Sequence, residues 1–107
     1  WHSDTEDSAN FSEFLTMTPS KETGYGQYNS GNYSNAKVDE LVLKSQAMTD
    51  EAARNKVLQE VETILYNDAA FIPLHWQNLA WASKKGVGIE PVANVMNMPY
   101  LGDLVIK

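Results

Sequence analysis

The chain has 107 residues, 43% of them hydrophobic, which predicts one modest core and excludes a disordered segment. Its 14 acidic and 8 basic residues give a net charge of −6, which argues against binding to nucleic acid or to anionic lipid, because both need a basic face. Cysteine is absent, which excludes disulfides, a thiolate nucleophile and a zinc-thiolate site.

The first predicted element is a short helix from residue 9 to about residue 17. Asp7 or Ser8 can cap its first amides, and Phe11 and Phe14 fall on one side of it. Pro19 ends it, because proline cannot continue a helix.

Residues 20–35 carry three glycines and no core pattern, which predicts a long loop. Its tyrosines, Tyr25, Tyr28 and Tyr33, indicate that it packs against the rest of the chain.

A second helix is predicted from residue 36 to about residue 48, with Asn35 as its N-cap. One face of that helix holds the side chains expected in the core: Val38, Leu41, Val42, Ser45 and Met48.

The longest predicted helix follows at residues 49–68, capped by Asp50 and closed at Asn67 and Asp68. Its apolar residues recur at helical spacing, so they form one buried face: Ala53, Val57, Val61, Ile64 and Leu65. The charged residues Arg54, Lys56, Glu60 and Glu62 take the other faces. This helix is the expected anchor of the fold.

The remainder is predicted to be β-type. Residues 71–76 form a short apolar strand, residues 77–78 a turn and residues 79–83 a returning strand, so a hairpin is expected. Residues 87–97 are expected to be irregular, and residues 100–106 to end in a last strand. The predicted class is α/β, or α+β as an isolated fragment, with a helix pair packed on a small sheet or hairpin.

Residues with catalytic or metal-binding chemistry are few. His2, Asp4 and His75 could be combined as metal ligands, but no histidine spacing supports that site. No serine has a nucleophile-elbow context and no glycine loop precedes a phosphate-binding helix. We therefore expect neither an enzyme nor a cofactor or metal.

Asp4 is the most interesting of the polar residues, because it follows Trp1 by three positions. A carboxylate beside an indole face favours an ammonium group through a charge-assisted hydrogen bond and the ring quadrupole. The alternative interpretation is an ordinary surface aspartate in a turn.

Four stretches resemble the C-terminal region of the large extracellular solute-binding proteins that serve ABC importers of dipeptides, oligopeptides and nickel. They lie at residues 33–41, 48–54, 60–65 and 70–75 and resemble the family patterns Y-x-N-x-x-x-D-x-L, D-x-x-x-R, a long helix and I-P-L. Trp1, Asp4, Asp7 and Phe11 resemble the preceding W-x-x-D-x-x-D-P-x-x-F element, with Ser8 in place of its proline. The dipeptide- and oligopeptide-binding members are the most similar.

The resemblance implies a monomeric, periplasmic or extracellular binding component that captures peptides and delivers them to the permease subunits of an ABC importer. Asp4 would hold the amino group of the peptide, and Trp1 would line the same cleft. A nickel chelate or another amine is the alternative ligand, and a lipid anchor is left open.

The same resemblance implies a two-lobed clamshell. Residues 1–83 would belong to the distal ligand-binding lobe, and residues 84–107 would cross the hinge and add a closing strand to the N-terminal lobe. Because the chain opens on Trp1, we expect that lobe and any signal sequence to lie outside it. The alternative from another class is a self-sufficient small α+β interaction domain.

Overall fold

The structure is a computed structural model that describes Thr5, residues 7–94 and residues 97–106. The chain divides into two compact units, Trp1–Pro73 and Leu74–Lys107. The described residues form three α-helices in the first unit and a two-stranded antiparallel sheet with a 3₁₀ helix in the second. The mixed α/β class that the sequence predicts is thus confirmed.

All three helices are capped as predicted. α1 is Ser8–Leu15, α2 is Ala36–Gln46 and α3 is Glu51–Asn67. A side-chain oxygen of Asp7, Asn35 and Asp50 accepts a hydrogen bond from a first-turn amide of α1, α2 and α3 respectively. Each cap satisfies an amide that would otherwise lack a partner within its helix, so these starts are determined locally.

The core of the first unit lies between α2 and α3. Val38 and Val42 of α2 pack with Val61 and Leu65 of α3, and all four side chains are at most 2% exposed. Met17 joins them from the segment after α1. The apolar faces predicted for the two helices are therefore the buried faces.

α3 ends in a turn that uses alanine where glycine is usual. The amide of Ala69 donates to the carbonyl of Tyr66, and the amide of Ala70 donates to the carbonyl of Leu65. This pair of bonds is the Schellman arrangement, and it places Ala69 at a φ of 48°. The predicted end of the helix at Asn67 and Asp68 is confirmed.

The loop at residues 20–35 is fastened by a buried asparagine. The amide nitrogen of Asn29 donates to the carbonyls of Met17, at 3.0 Å, and Tyr33, at 2.8 Å, and its oxygen accepts from the amide of Tyr33. Tyr25 and Tyr33 lie partly buried against the core. The prediction that the tyrosines pack this loop against the rest of the chain is confirmed for these two.

In the second unit, β1 (Val87–Gly88) pairs antiparallel with β2 (Val105–Ile106). The 3₁₀ helix Leu101–Asp103 precedes β2. Of the strand predicted at residues 100–106, only Val105 and Ile106 are therefore paired in a sheet. β1 falls in a segment predicted to be irregular, because two residues are too short for an alternation to be visible in the sequence.

The predicted hairpin is wrong. Residues 70–84 contain no helix or strand. A strand is stable only when its backbone groups find a partner, and no backbone group of residues 71–82 is hydrogen-bonded to the backbone of another described residue. Apolar composition alone therefore does not produce a strand here.

Candidate functional site

Tyr33 and Asn35, from the motif at residues 33–41, join two helix ends. The Tyr33 hydroxyl donates to Oδ2 of Asp68 at 2.6 Å, and Asn35 Nδ2 donates to the same oxygen at 2.8 Å. Asn35 is the N-cap of α2 and Asp68 is the C-cap of α3, so the cluster fastens the start of one helix to the end of the other.

The same contacts shift the pKa values of the Asp68 carboxyl and the Tyr33 hydroxyl. The hydrogen bond from Tyr33, and then that from Asn35, lowers the pKa of Asp68. Burial, and then the hydrogen bond to Asp68, raises the pKa of Tyr33 to about 12. The pair thus holds a protonated phenol against an ionised carboxylate at neutral pH.

The aspartate of the same motif fastens α2 to the segment that follows α1. Asp39 accepts the backbone amide of Thr18 at 2.9 Å on one oxygen and its hydroxyl at 2.6 Å on the other. Both carboxylate oxygens of Asp39 are therefore occupied within the fold.

One residue of the motif at residues 48–54, Arg54, contacts Asp7. Asp50 caps α3, and Arg54, one turn later, forms an ion pair with Asp7 in which Nη1 and Oδ2 are 2.8 Å apart. Arg54 Nε also donates to the carbonyl of Ser45 at 3.1 Å. The hydrogen bond from Arg54 lowers the pKa of Asp7 against the opposing effect of burial, and the amide of Ala9 lowers it further.

These contacts correct the prediction for Arg54, which was expected on a face away from the core. Its side chain bonds to Asp7, the N-cap residue of α1, and to the last turn of α2 instead. The polar residues of both motifs thus have partners within the fold, and they determine how the helices pack.

The predicted ligand contacts Trp1 and Asp4 lie outside the described residues, as does His2. His75 lies in the segment without regular structure. Within the described part of the chain, no group of three histidine, cysteine, aspartate or glutamate residues could hold a metal ion. No helix found there is long and apolar enough to cross a membrane.

One apolar surface was not predicted as a site. A groove of about 910 Å³ in the first unit is lined by α1, α3 and the segment after α3. Its apolar wall consists of Phe11, Leu65, Tyr66, Phe71, Ile72 and Pro73. The rings of Phe11 and Phe71 meet edge to face, with centroids 5.1 Å apart and planes at 69°.

The rim of the groove is polar. It carries Ser8, Gln59 and Thr63, and Glu62 is the single charged residue among the described lining residues. The signal in the sequence was the start of the apolar run at residues 71–76, which was interpreted as a buried strand. Three residues of that run, Phe71, Ile72 and Pro73, line the groove.

The chain is similar to the probable deoxycholate-binding periplasmic protein YgiS of Escherichia coli (strain K12). The two are 34% identical over 79 residues, which is 74% of this chain. The chain spans about 15% of the length of that relative. No family model and no solved structure matches the chain.

This similarity overturns the resemblance to the binding proteins of peptide and nickel importers. The matched relative is named for a bile acid and not for a peptide or a metal. The physical reason for the error is that the polar residues of two of the motifs, among them Tyr33, Asp39 and Arg54, are bonded within the fold. They describe helix packing and carry no information about the ligand. What the comparison supports is solute binding in general.

Proposed function

We propose that this chain is part of a periplasmic solute-binding protein that captures an amphipathic solute. The observation that carries the proposal is the 34% identity over 79 residues with a probable deoxycholate-binding periplasmic protein. In this proposal the chain contributes to one lobe of a clamshell, with residues 1–83 in the distal lobe and residues 84–107 at the hinge. The second lobe would be supplied by the rest of the longer protein. The whole protein would deliver the solute to the permease subunits of an ABC importer.

A bile acid is the first ligand class to test. Deoxycholate combines an apolar ring system with a carboxylate. A site for it therefore needs an apolar wall, and no unpaired acidic side chain of the protein can lie beside the carboxylate of the ligand. The net charge of −6 makes the placement of that carboxylate the demanding part of the site.

A solute with a free amino group, such as a peptide, is the second class, and the spacing of Trp1 and Asp4 favours it. The two classes make opposite demands on Asp4. Its carboxylate attracts an ammonium group and repels a carboxylate. Asp4→Asn should therefore weaken binding of an amine by roughly a hundredfold and leave deoxycholate binding unchanged or stronger.

Calorimetry on the native gene product decides among these outcomes, with deoxycholate, a free-amine peptide and its N-acetylated form as titrants. Binding of deoxycholate that tolerates Asp4→Asn supports the bile-acid proposal. Binding of the free-amine peptide alone, lost on acetylation and on Asp4→Asn, replaces the bile acid with an amine. Binding of none of the three refutes both.

The alternative proposal, a self-sufficient small α+β interaction domain, predicts a much shorter native gene product than a solute-binding protein does. A solute-binding protein of the proposed kind is several times longer than 107 residues, since the chain spans only 15% of its relative. The mass of the native gene product therefore distinguishes the two before any ligand is tried.

A further inference from the structure

A polar pocket adjoins the apolar groove, and both cavities lie within the first unit. The pocket measures about 550 Å³ and is lined by the start of α1 and the first turns of α3. Its described lining residues are all polar except Leu58. Ser8 lines both the pocket and the groove, so the two cavities meet at the first residue of α1.

One face of α3 runs through both cavities. Glu51 and Asn55 line the polar pocket, and Gln59, Glu62 and Tyr66 line the groove. Their spacings of four, four, three and four residues place all five on one stripe of the helix. An elongated solute that lies along this stripe would therefore contact the polar pocket at one end and the apolar groove at the other.

The polar end of this stripe has a fixed cation. Among the described residues that line the two cavities, Arg54 is the one basic residue. Its side chain is 24% exposed, and its contacts with Asp7 and with the carbonyl of Ser45 engage Nη1 and Nε. A guanidinium carries five N–H donors in a planar fork that matches a carboxylate, which is more than these two contacts use. Packing explains why the motif contains Arg54, so only the structure shows the pocket beside it.

The acidic residue of the groove, Glu62, lies at the other end. It follows Arg54 by eight residues in α3, which is about 12 Å along the helix axis. That separation exceeds the Debye length of about 10 Å in roughly 0.1 M salt, so Glu62 does not oppose an anion held by Arg54. Its oxygens can accept a hydrogen bond from a hydroxyl group, and the side chains of Gln59 and Thr63 lie on the same rim.

We propose that the polar pocket and the apolar groove form one site for an elongated amphipathic acid of the bile-acid class, with its carboxylate at Arg54 and its rings along the groove. This inference rests on the proposed function and adds the residues and the orientation of the solute. Charge complementarity selects this occupant, because a cation, an apolar wall and hydroxyl acceptors follow one another along α3. The 910 Å³ of the groove lies within the range of roughly 300–1,000 Å³ that small-molecule pockets occupy.

Calorimetry on the native gene product tests the Arg54 end, with deoxycholate and its uncharged methyl ester as titrants. The unmodified protein should bind the acid more tightly than the ester. Arg54→Met should weaken binding of the acid by roughly a hundredfold and change binding of the ester little, because the ester brings no charge to pair. Lys56→Met is the matched control. It removes the same charge from α3 at a position that lines neither cavity, so the preference for the acid should persist.

Each other result has a definite meaning. A preference for the acid that persists in Arg54→Met, or an equal loss for acid and ester, would overturn this inference alone. Failure of the unmodified protein to bind either titrant would refute the bile-acid proposal itself. Glu51 opposes a carboxylate in the polar pocket, so Glu51→Gln should bind the acid more tightly, and weaker binding would contradict the orientation.

Tyr66 tests the groove end, and it decides the matter if Arg54→Met does not fold. Its side chain is 85% exposed, so Tyr66→Ala should leave the thermal midpoint of the ligand-free native product unchanged and weaken acid and ester alike by roughly tenfold. Tyr28→Ala is the matched control, because Tyr28 is 55% exposed and lines neither cavity, and it should leave both affinities unchanged. A lower midpoint with unchanged affinities in Tyr66→Ala would overturn the proposal in favour of a groove filled by polypeptide.

Discussion

The guanidinium of Arg54 lies 2.8 Å from the carboxylate of Asp7, and this pair joins the start of α1 to the first turns of α3. The same carboxylate accepts the amide of Ala9 at 2.9 Å, and the same guanidinium donates to the carbonyl of Ser45 at the end of α2. Two side chains thus connect all three helices of the first unit.

Removing the Asp7 carboxylate should destabilise the chain. Asp7→Ala loses both the N-cap of α1 and the partner of Arg54, and we expect a loss of about 1–2 kcal/mol in the free energy of unfolding. Asp7→Asn keeps a capping oxygen and should cost less. Urea denaturation measures both. As a control, Lys37→Ala breaks the exposed pair with Glu40 and should cost less than about 0.5 kcal/mol. Equal losses for Asp7→Ala and Lys37→Ala would mean that the Arg54 pair is ordinary surface charge.

The Asp7–Arg54 pair also predicts a dependence of stability on acid pH. Because Arg54 holds the pKa of Asp7 below its ordinary value of 3.8, the stabilisation is complete above pH 3.8 and is lost as the pH falls through the lower pKa of the folded state. Arg54→Met lacks it at every pH. The difference in unfolding free energy between the two proteins should therefore shrink below pH 3.8, and a constant difference down to pH 2 would refute the linkage.

Leu65 tests the core between α2 and α3. Its side chain is 2% exposed, and Leu65→Ala should cost about 2–5 kcal/mol through lost burial and the cavity left behind. The neighbouring Tyr66 is 85% exposed, so Tyr66→Ala should stay within about 0.5 kcal/mol. Comparable denaturation midpoints for the two variants would show that the buried face of α3 is assigned wrongly.

Tyr33 should lose its stabilising effect in alkali. Its pKa is raised to about 12 by burial and then by the bond to Asp68, so its contribution is complete below pH 10.0 and is lost as the pH rises towards 12. Absorbance titration of tyrosinate should show a component near pH 12 that Tyr33→Phe removes and Tyr66→Phe retains. Persistence of that component in Tyr33→Phe would assign it to another tyrosine.

Gly26 should be intolerant of a side chain. Its φ is +64°, and an added Cβ would lie 2.3 Å from the carbonyl oxygen of Met17 and 2.9 Å from the backbone of Pro19. Gly26→Ala should therefore cost more than about 1 kcal/mol. Gly31, with open space around it, is the matched control, and Gly31→Ala should be neutral within about 0.5 kcal/mol. Similar thermal midpoints for the two variants would argue against the tight packing of this loop.

The polar motif residues show what a sequence pattern leaves open. Tyr33 and Asp68 are 35 residues apart in the chain and 2.6 Å apart in space. Nothing local distinguishes an aspartate that closes a helix from one that binds a solute. The motifs carried a resemblance without giving the role of each residue, and the fold uses Tyr33, Asn35 and Asp39 to fasten helices.

The sequence by itself determined the three helices, because their signals are local. A capping oxygen at Asp7, Asn35 and Asp50 acts within three residues, and the spacing of Val57, Val61 and Leu65 is a property of one helix. Only the tertiary structure decided what becomes of the apolar residues at 71–76. A strand depends on a partner for its backbone, and no composition within the segment can supply that partner.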